Sequence, residues 1–228
     1  MILALLLAGA SATTPADLGP VPKDVVRVYL VRHGQAFSNL DPEPELPPEQ
    51  LDRLTELGHA QSKRAGEALG SAHAIRIMSS PAGRARETAE DLRAALGVAA
   101  VEVEPRIRSL EVGLNPKGEP DDWDWRIAEW EAGRDPTPPR GESMQQMAER
   151  VLVAVQALRA SHQGQSVVLV AHSEVIGAFV GLLDGTPAPK RYPPKIRNAS
   201  ITVVEAGPGP MAKLIFSNYL APEPASAP

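Results

Sequence analysis

The chain has 228 residues, of which 43% are hydrophobic and 22% charged, a composition typical of a soluble globular protein with one large domain or at most two small ones. The formal net charge of −5 and the lack of a Lys/Arg-rich run argue against nucleic-acid binding. The sequence contains no cysteine, which excludes disulfides, thiol nucleophiles and cysteine-ligated zinc sites.

The first predicted element is an apolar stretch, MILALLLAGASA, that ends in the A-x-A pattern Ala10-Ser11-Ala12. This pattern is typical of the end of a secretory signal peptide, although the basic residues that normally precede the apolar run are missing. The run is too short to span a bilayer as a helix. We therefore expect residues 1–22 to comprise a signal remnant and a linker. Export to the periplasm or the medium follows if the signal works, and a cytoplasmic location if it does not.

The next two hundred residues alternate between strand and helix patterns. Apolar runs predict strands at 25–31, 74–78, 101–103, 166–171, 200–205 and 212–218, and helical spacing predicts helices at 54–72, 81–97, 141–164 and 173–185. The proline-rich acidic segment at 41–50 predicts a loop without regular structure. The composition of residues 221–228, APEPASAP, predicts a disordered tail.

This order predicts an α/β fold for a single domain at residues 23–220. The expected architecture is a three-layer sandwich with a mostly parallel central sheet, helices on both sides, and an antiparallel hairpin at the C-terminal end. Residues 113–141 are expected to form an insert that caps the domain's ligand pocket, and this cap insert should set the specificity for the ligand.

Three predicted strands end in residues that can do chemistry. The first runs into Arg32-His33-Gly34, the second ends just before the helix that carries Arg84, and the fourth ends in His172. Because the carboxyl ends of parallel strands lie on one edge of a sheet, these groups should converge. Arginine binds phosphate oxygens in pairs, and a neutral histidine is a competent nucleophile toward phosphorus. The pattern therefore predicts a site for a phosphate dianion.

These motifs resemble those of the histidine phosphatase superfamily, in the branch that includes the cofactor-dependent phosphoglycerate mutases. The resemblance covers residues 25–220. It rests on Arg32-His33-Gly34, LTELGHAQ at 54–61, SSPAGRARETA at 79–89, PRGES at 139–143 and VAHS at 170–173.

The resemblance implies a mechanism through a phosphohistidine. His33 attacks the phosphoryl group, Arg32, Arg84 and His172 stabilise the charge on its oxygens, and water then releases phosphate. It also implies a phosphorylated small molecule as substrate, with no metal or other cofactor. No nucleic acid and no stable membrane span are expected, and the oligomeric state is left open.

Three further residues are candidates for substrate contact. Asn39 lies six residues after His33, where many members carry a phosphate-contacting asparagine. Ser173 belongs to the VAHS motif and Glu142 to the PRGES motif.

The proton donor to the leaving group is where this sequence departs from the family. Many members carry a glutamate in a Leu-x-Glu-x-x-x-Gly pattern, but counting back from Gly113 places Ser109 there, with Glu111 two residues further on. Three alternatives stay open. Glu111 acts after a local shift, Glu142 or a carboxylate of the EPDDWDW loop acts instead, or the protein has no strong acid and needs substrates with good leaving groups.

The insert contains every tryptophan of the chain: Trp123, Trp125 and Trp130. Such large amphipathic rings either line a substrate or partner surface or pack the insert onto the domain. Packing is the favoured interpretation for any single one of them.

The leading functional interpretation is a phosphoric monoester hydrolase. The nearest alternative is phosphoglycerate mutase-type transfer, which calls for additional basic residues to hold the substrate carboxylate. The acidic insert supplies only Lys117, Arg126, Arg134 and Arg140. A non-catalytic phosphate-binding or regulatory homologue is the third interpretation, and the complete set of pocket residues argues against it, since a binding pocket has no need of a nucleophile.

Overall fold

A computed structural model describes residues 14–120 and 123–223. The expected signal sequence at the start of the chain and most of the expected tail lie outside the described residues, as do Asp121 and Asp122 of the EPDDWDW loop. Between residues 14 and 223, apart from those two, no helix is both long and apolar enough to cross a membrane.

In the described part of the chain, six strands form one sheet with the order β3-β2-β4-β1-β5-β6. Their bounds are β1 Val26–Arg32, β2 Ala74–Ser79, β3 Val101–Val103, β4 Ser166–Ala171, β5 Ile201–Ala206 and β6 Lys213–Tyr219. The pairs β1–β4, β2–β4 and β2–β3 are parallel, whereas β5 is antiparallel to both β1 and β6. The predicted mostly parallel sheet with an antiparallel C-terminal hairpin is confirmed.

The described helices match the predicted ones and add two. Their bounds are α1 Pro48–Leu51, α2 Glu56–Ala68, α3 Gly83–Leu96, α4 Asp124–Glu131, α5 Met144–Ser161 and α6 Ser173–Leu183. Short 3-10 turns occur at Pro15–Asp17, Phe37–Asn39, Gly70–Ala72, Pro105–Ile107 and Ala188–Arg191.

Helices cover both faces of the sheet because consecutive strand side chains point to opposite sides. In β1, Val28 and Leu30 pack into the cluster that contains the buried residues of α5 and α6. Tyr29 and Val31 pack on the other side, with the buried residues of α2 and α3. Strand β4 is buried along its whole length. The predicted three-layer sandwich is therefore confirmed.

The proline-rich segment contains one turn of helix, α1, so the expectation that it has no regular structure was wrong at its end. Pro48 is the first residue of that turn. A proline there loses nothing, because the first amide of a helix has no partner within the helix. The helix ends at Leu51 and is capped by Asp52.

Aromatic side chains join the insert to the rest of the domain. The ring centroids of Trp123 and Trp130 lie 6.0 and 4.9 Å from that of Tyr192, which follows the last 3-10 turn. Trp130 is 4% exposed, and the Arg126 guanidinium lies 5.7 Å from the centre of its ring. Helix α4, which the sequence pattern did not predict, carries both Arg126 and Trp130.

The chain just after β1 packs against the start of α2, and this contact leaves no room for a side chain. A Cβ atom on Gly34 would lie 2.4 Å from the carbonyl oxygen of Gly58, and a Cβ atom on Gly58 would lie 2.1 Å from that of Gln35. Both clashes are with backbone, which cannot swing away as a flexible side chain can. The two glycines let the chain after β1 lie directly against α2.

Gly58→Ala should therefore lower the free energy of unfolding by about 1–3 kcal/mol, the range for an overpacked contact. Urea denaturation measures this as a drop in the transition midpoint at unchanged slope. Gly70→Ala is the matched control, because a Cβ atom at Gly70 would meet nothing within 4 Å. Equal midpoints for the two variants would contradict the packing argument.

Candidate active site

Two histidines follow neighbouring parallel strands. Arg32 of β1 is in register with Ala171 of β4, so the next residues, His33 and His172, emerge side by side. Their ring centroids are 5.3 Å apart, and the side chains are almost fully buried. The strand pairing alone brings these two predicted residues together.

His33 is held in one tautomer. Its Nδ1 lies 2.7 Å from the carbonyl oxygen of Gly34. A carbonyl only accepts, so Nδ1 carries the proton and Nε2 keeps its lone pair. Burial, then the neighbouring His172 and Arg84, hold the pKa of His33 well below its usual range. The result is a neutral imidazole whose Nε2 can act as a nucleophile.

Arg84 connects the two histidines to a carboxylate. Its Nε donates to His33 Nε2 at 3.3 Å, and its Nη2 donates to His172 Nδ1 at 3.2 Å. Its Nη1 donates to Asp52 Oδ1 at 2.6 Å, and the backbone amide of Gly83 donates to Asp52 Oδ2, also at 2.6 Å. Asp52 therefore fixes both the start of α3 and the orientation of the guanidinium. The sequence reasoning missed Asp52.

His172 is neutral as well. Since a guanidinium only donates, His172 Nδ1 keeps its lone pair toward Arg84, and Nε2 donates to Ser80 Oγ at 2.7 Å. Burial, followed by the charges of Arg84 and Arg32, lowers the pKa of His172 to about 3.

Arg32 brings a second guanidinium to the pocket. Its Nη1 donates to the carbonyl oxygen of Ile196 at 2.7 Å. Its Nε is buried without a hydrogen-bond partner among the residues described. Burial lowers the pKa of Arg32, and the charge of Glu174 opposes that shift. A buried, unsatisfied N–H is costly, and a bound anion would satisfy it.

The other predicted contact residues lie around this group. Asn39 is exposed, and its Oδ1 accepts from the amide of Ala36 and from Asn198 Nδ2, both at 3.1 Å. Asn198, which sequence reasoning missed, also donates to the carbonyl oxygen of His33 at 3.2 Å. Ser173 begins α6. Contact of Asn39 or Ser173 with phosphate stays a prediction.

The two named acid candidates have different surroundings. The Glu111 side chain is 55% exposed and lies 3.2 Å from Arg108 Nη2. Glu142 is buried, and its carboxylate accepts from Arg150 Nη2 at 2.7 Å and Arg150 Nε at 2.8 Å. Burial alone would raise the pKa of Glu142, but the hydrogen bonds and charge of Arg150 outweigh it and lower the pKa. Glu142 is thus held as the charged partner of Arg150.

A cavity of about 610 Å³ opens next to the carboxyl end of β2. Ser80, Ser109 and Glu111 lie in its wall, together with the basic residues Arg108 and Arg140. Ser80 is the residue that accepts from His172, so the cavity adjoins the pocket and could hold the alcohol part of a phosphoester. In the described ranges, no cluster of three His, Cys, Asp or Glu side chains could hold a metal ion.

Comparison with known proteins finds matches over most of the chain. A model of the histidine phosphatase superfamily (branch 1) matches residues 28–216. A probable phosphoglycerate mutase GpmB from Salmonella arizonae is 32% identical over 186 residues, covering 79% of this chain and 85% of that protein. The corresponding protein of Erwinia tasmaniensis is 30% identical with the same coverage.

Solved structures also include proteins similar to this chain. A mycobacterial glucosyl-3-phosphoglycerate phosphatase superposes with a TM-score of 0.66 at 29% identity, covering 85% of this chain and 99% of that one. YhfR from Bacillus stearothermophilus superposes with a TM-score of 0.67 at 26% identity, covering 84% of this chain and 96% of that one.

The neutral, buried histidines predict a particular loss of stability in acid. In the unfolded chain, His33 and His172 take up protons near pH 6.5, whereas in the folded chain their pKa values lie well below that. Stability should therefore fall as pH drops below about 6.5, by about 2 kcal/mol for each histidine between pH 7 and 5.

Urea denaturation at pH 7, 6 and 5 measures this loss, and His172→Gln should remove about half of it. His73→Asn is the control, because His73 is exposed and its positive φ of 48° suits asparagine. A wild-type stability that is flat over this range would contradict the burial of neutral histidines.

Proposed function

The chain belongs to the histidine phosphatase superfamily, and we propose from this that it hydrolyses phosphoric monoesters of small molecules through a phosphohistidine at His33. The observation that carries the proposal is the state of His33, whose Nε2 keeps its lone pair beside the Arg84 guanidinium. Members of the family act as phosphatases or mutases, and the choice between these depends on the groups around the pocket.

In the first step the phosphoryl group of the ester lies between His33 Nε2 and the two guanidiniums. Nε2 forms a bond to phosphorus while the bond from phosphorus to the ester oxygen breaks. Arg32 and Arg84 balance the negative charge on the phosphoryl oxygens. The hydrogen bond from His33 Nδ1 to the Gly34 carbonyl stabilises the positive charge that develops on the ring. The leaving oxygen takes up a proton as the alcohol departs.

In the second step a water molecule attacks the phosphohistidine. The phosphorus–nitrogen bond breaks, the water loses a proton, and inorganic phosphate leaves. His33 returns to its neutral tautomer because the Gly34 carbonyl keeps the proton on Nδ1. The same cations that stabilised the first transition state stabilise the second.

Hydrolysis is favoured over mutase-type transfer because two basic residues of the insert already bind other groups of the protein. Arg126 is fully buried and donates to the carbonyl oxygens of Val112 and Glu142. Arg134 donates to the Glu129 carboxylate at 2.7 Å. A mutase must hold the carboxylate of its substrate while the phosphoryl group moves, and these two arginines are engaged elsewhere.

Phosphoglycerate mutase activity is the second candidate, supported by the curated relatives named as probable phosphoglycerate mutases. The phosphatase named among the solved structures also acts on a phosphoglycerate derivative. A phosphoester with a carboxylate on its alcohol part would meet Arg108 or Arg140 in the adjoining cavity. We extend the proposal to this substrate class, and expect hydrolysis of it.

Export and independence from metals are parts of the proposal as well.

His33→Ala should lower turnover of p-nitrophenyl phosphate by at least about 1,000-fold, because it removes the nucleophile. Wild-type protein quenched in alkali during turnover should carry one phosphoryl group by intact mass, and the variant none. His59→Ala is the control, since His59 is an α2 residue paired with Asp91 away from the pocket. A variant as active as wild type would disprove the mechanism.

Hydrolysis and mutase activity can be separated with 3-phosphoglycerate. Phosphorus NMR of the reaction should show inorganic phosphate as the product, without prior formation of 2-phosphoglycerate. Formation of 2-phosphoglycerate faster than phosphate would identify a mutase instead.

A further inference from the structure

The first turn of α6 carries a carboxylate, Glu174, two residues after His172. The side chain is half-buried, and its charge acts on Arg32, where it opposes the effect of burial on the pKa of the guanidinium. Glu174 therefore lies on the same edge of the sheet as the phosphate pocket, on the side of Arg32.

The Glu174 carboxylate contacts a residue in the wall of the cavity where the leaving group would lie. Its Oε1 is 2.5 Å from Ser109 Oγ. Ser109 and Ser80 both line the cavity of about 610 Å³, and Ser80 Oγ is 2.7 Å from His172 Nε2. Ser109 is also the residue that stands in place of the glutamate of the family pattern. A carboxylate thus arrives beside that position from a different element of the fold.

The neighbours of Glu174 suit a group that gains and loses a proton. Its two oxygens contact the hydroxyls of Ser109, at 2.5 Å, and Ser173, at 3.2 Å. A hydroxyl can donate to a carboxylate and accept from a carboxylic acid, so both protonation states can be satisfied. Glu142, in contrast, faces Arg150, which can only donate and therefore keeps the carboxylate charged. Among the described residues, Glu174 forms no ion pair within 4 Å.

We propose that Glu174 is the proton donor to the leaving group, and that Ser109 positions its carboxyl group. This inference rests on the proposed function. As the bond from phosphorus to the ester oxygen breaks, the Glu174 carboxylic acid gives its proton to that oxygen and becomes a carboxylate. In the second step the carboxylate takes a proton from the attacking water and is restored. Glu111, in the cavity wall, then supplies no proton to the leaving group.

The test compares Glu174→Gln with wild type on two substrates: p-nitrophenyl phosphate, whose leaving group needs no proton, and an alkyl phosphate, whose leaving group does. The variant should lose about 100- to 1,000-fold in kcat/KM on the alkyl phosphate. Its kcat/KM on p-nitrophenyl phosphate should fall less than about fivefold. Because the variant also lacks the base that takes a proton from the attacking water, the phosphoenzyme should accumulate, with a burst of p-nitrophenol.

Three further variants make the result specific. Ser109→Ala should show the same dependence on the leaving group with a smaller loss, of about tenfold. Glu67→Gln should match wild type on both substrates, Glu67 being an exposed residue of α2. Glu111→Gln should keep the wild-type ratio of kcat/KM between the two substrates, because Glu111 lies in the cavity wall but supplies no proton.

Equal losses on both substrates would mean that Glu174 only orients Arg32, and unchanged rates on both would remove it from the reaction. Either outcome overturns the proposal, as does a selective loss in Glu111→Gln. Trapping of the phosphoenzyme in wild type tests the proposed function separately, because it does not depend on which residue supplies the proton.

Discussion

The pocket depends on the Arg84 guanidinium, which spans three acceptors that come from different parts of the chain. One nitrogen contacts His33, one contacts His172 and one contacts Asp52. A planar fork with several donors can make these contacts at once, whereas the single ammonium of a lysine could not keep all three in the same geometry. Asp52 also compensates the positive charge in a partly buried place, where an unpaired cation would be costly. The pocket therefore holds its cations in position before any phosphate binds.

Parallel pairing of β1 and β4 explains the positions of the two histidines. The two strands end at adjacent points of the sheet edge, so His33 and His172, which follow them directly, lie side by side. Close contact of Gly34 with Gly58 then sets the path of the chain after β1, and with it the position of the carbonyl that holds the His33 proton. A backbone contact with a residue about 25 positions away in sequence thus helps to decide which ring nitrogen of His33 keeps its lone pair.

The alternation of strand and helix patterns was enough to predict the fold, and the polar residues that follow the strands were enough to predict the group of His33, Arg84 and His172. Neither pattern predicted Asp52, because its segment is rich in proline and its partners Gly83 and Arg84 lie 31 and 32 residues further along the chain. Membership of the PRGES motif did not reveal the surroundings of Glu142, since a motif does not tell which group a carboxylate faces, and in the fold that group is Arg150. Glu174 was not among the predicted site residues, because only the fold brings it to Ser109, which lies 65 residues earlier in the chain.

The tautomer of His33 in the free protein is the most direct test of the account. Long-range proton–nitrogen NMR on protein labelled with nitrogen-15 reports, for each histidine, which ring nitrogen carries the proton and at what pH the ring titrates. We predict that His33 keeps its proton on Nδ1 and its lone pair on Nε2 from pH 8 down to about pH 5, since burial and its cationic neighbours disfavour the imidazolium. A His33 ring that titrates near its ordinary value of about 6.5, or that carries its proton on Nε2, would contradict the assignment of the nucleophile.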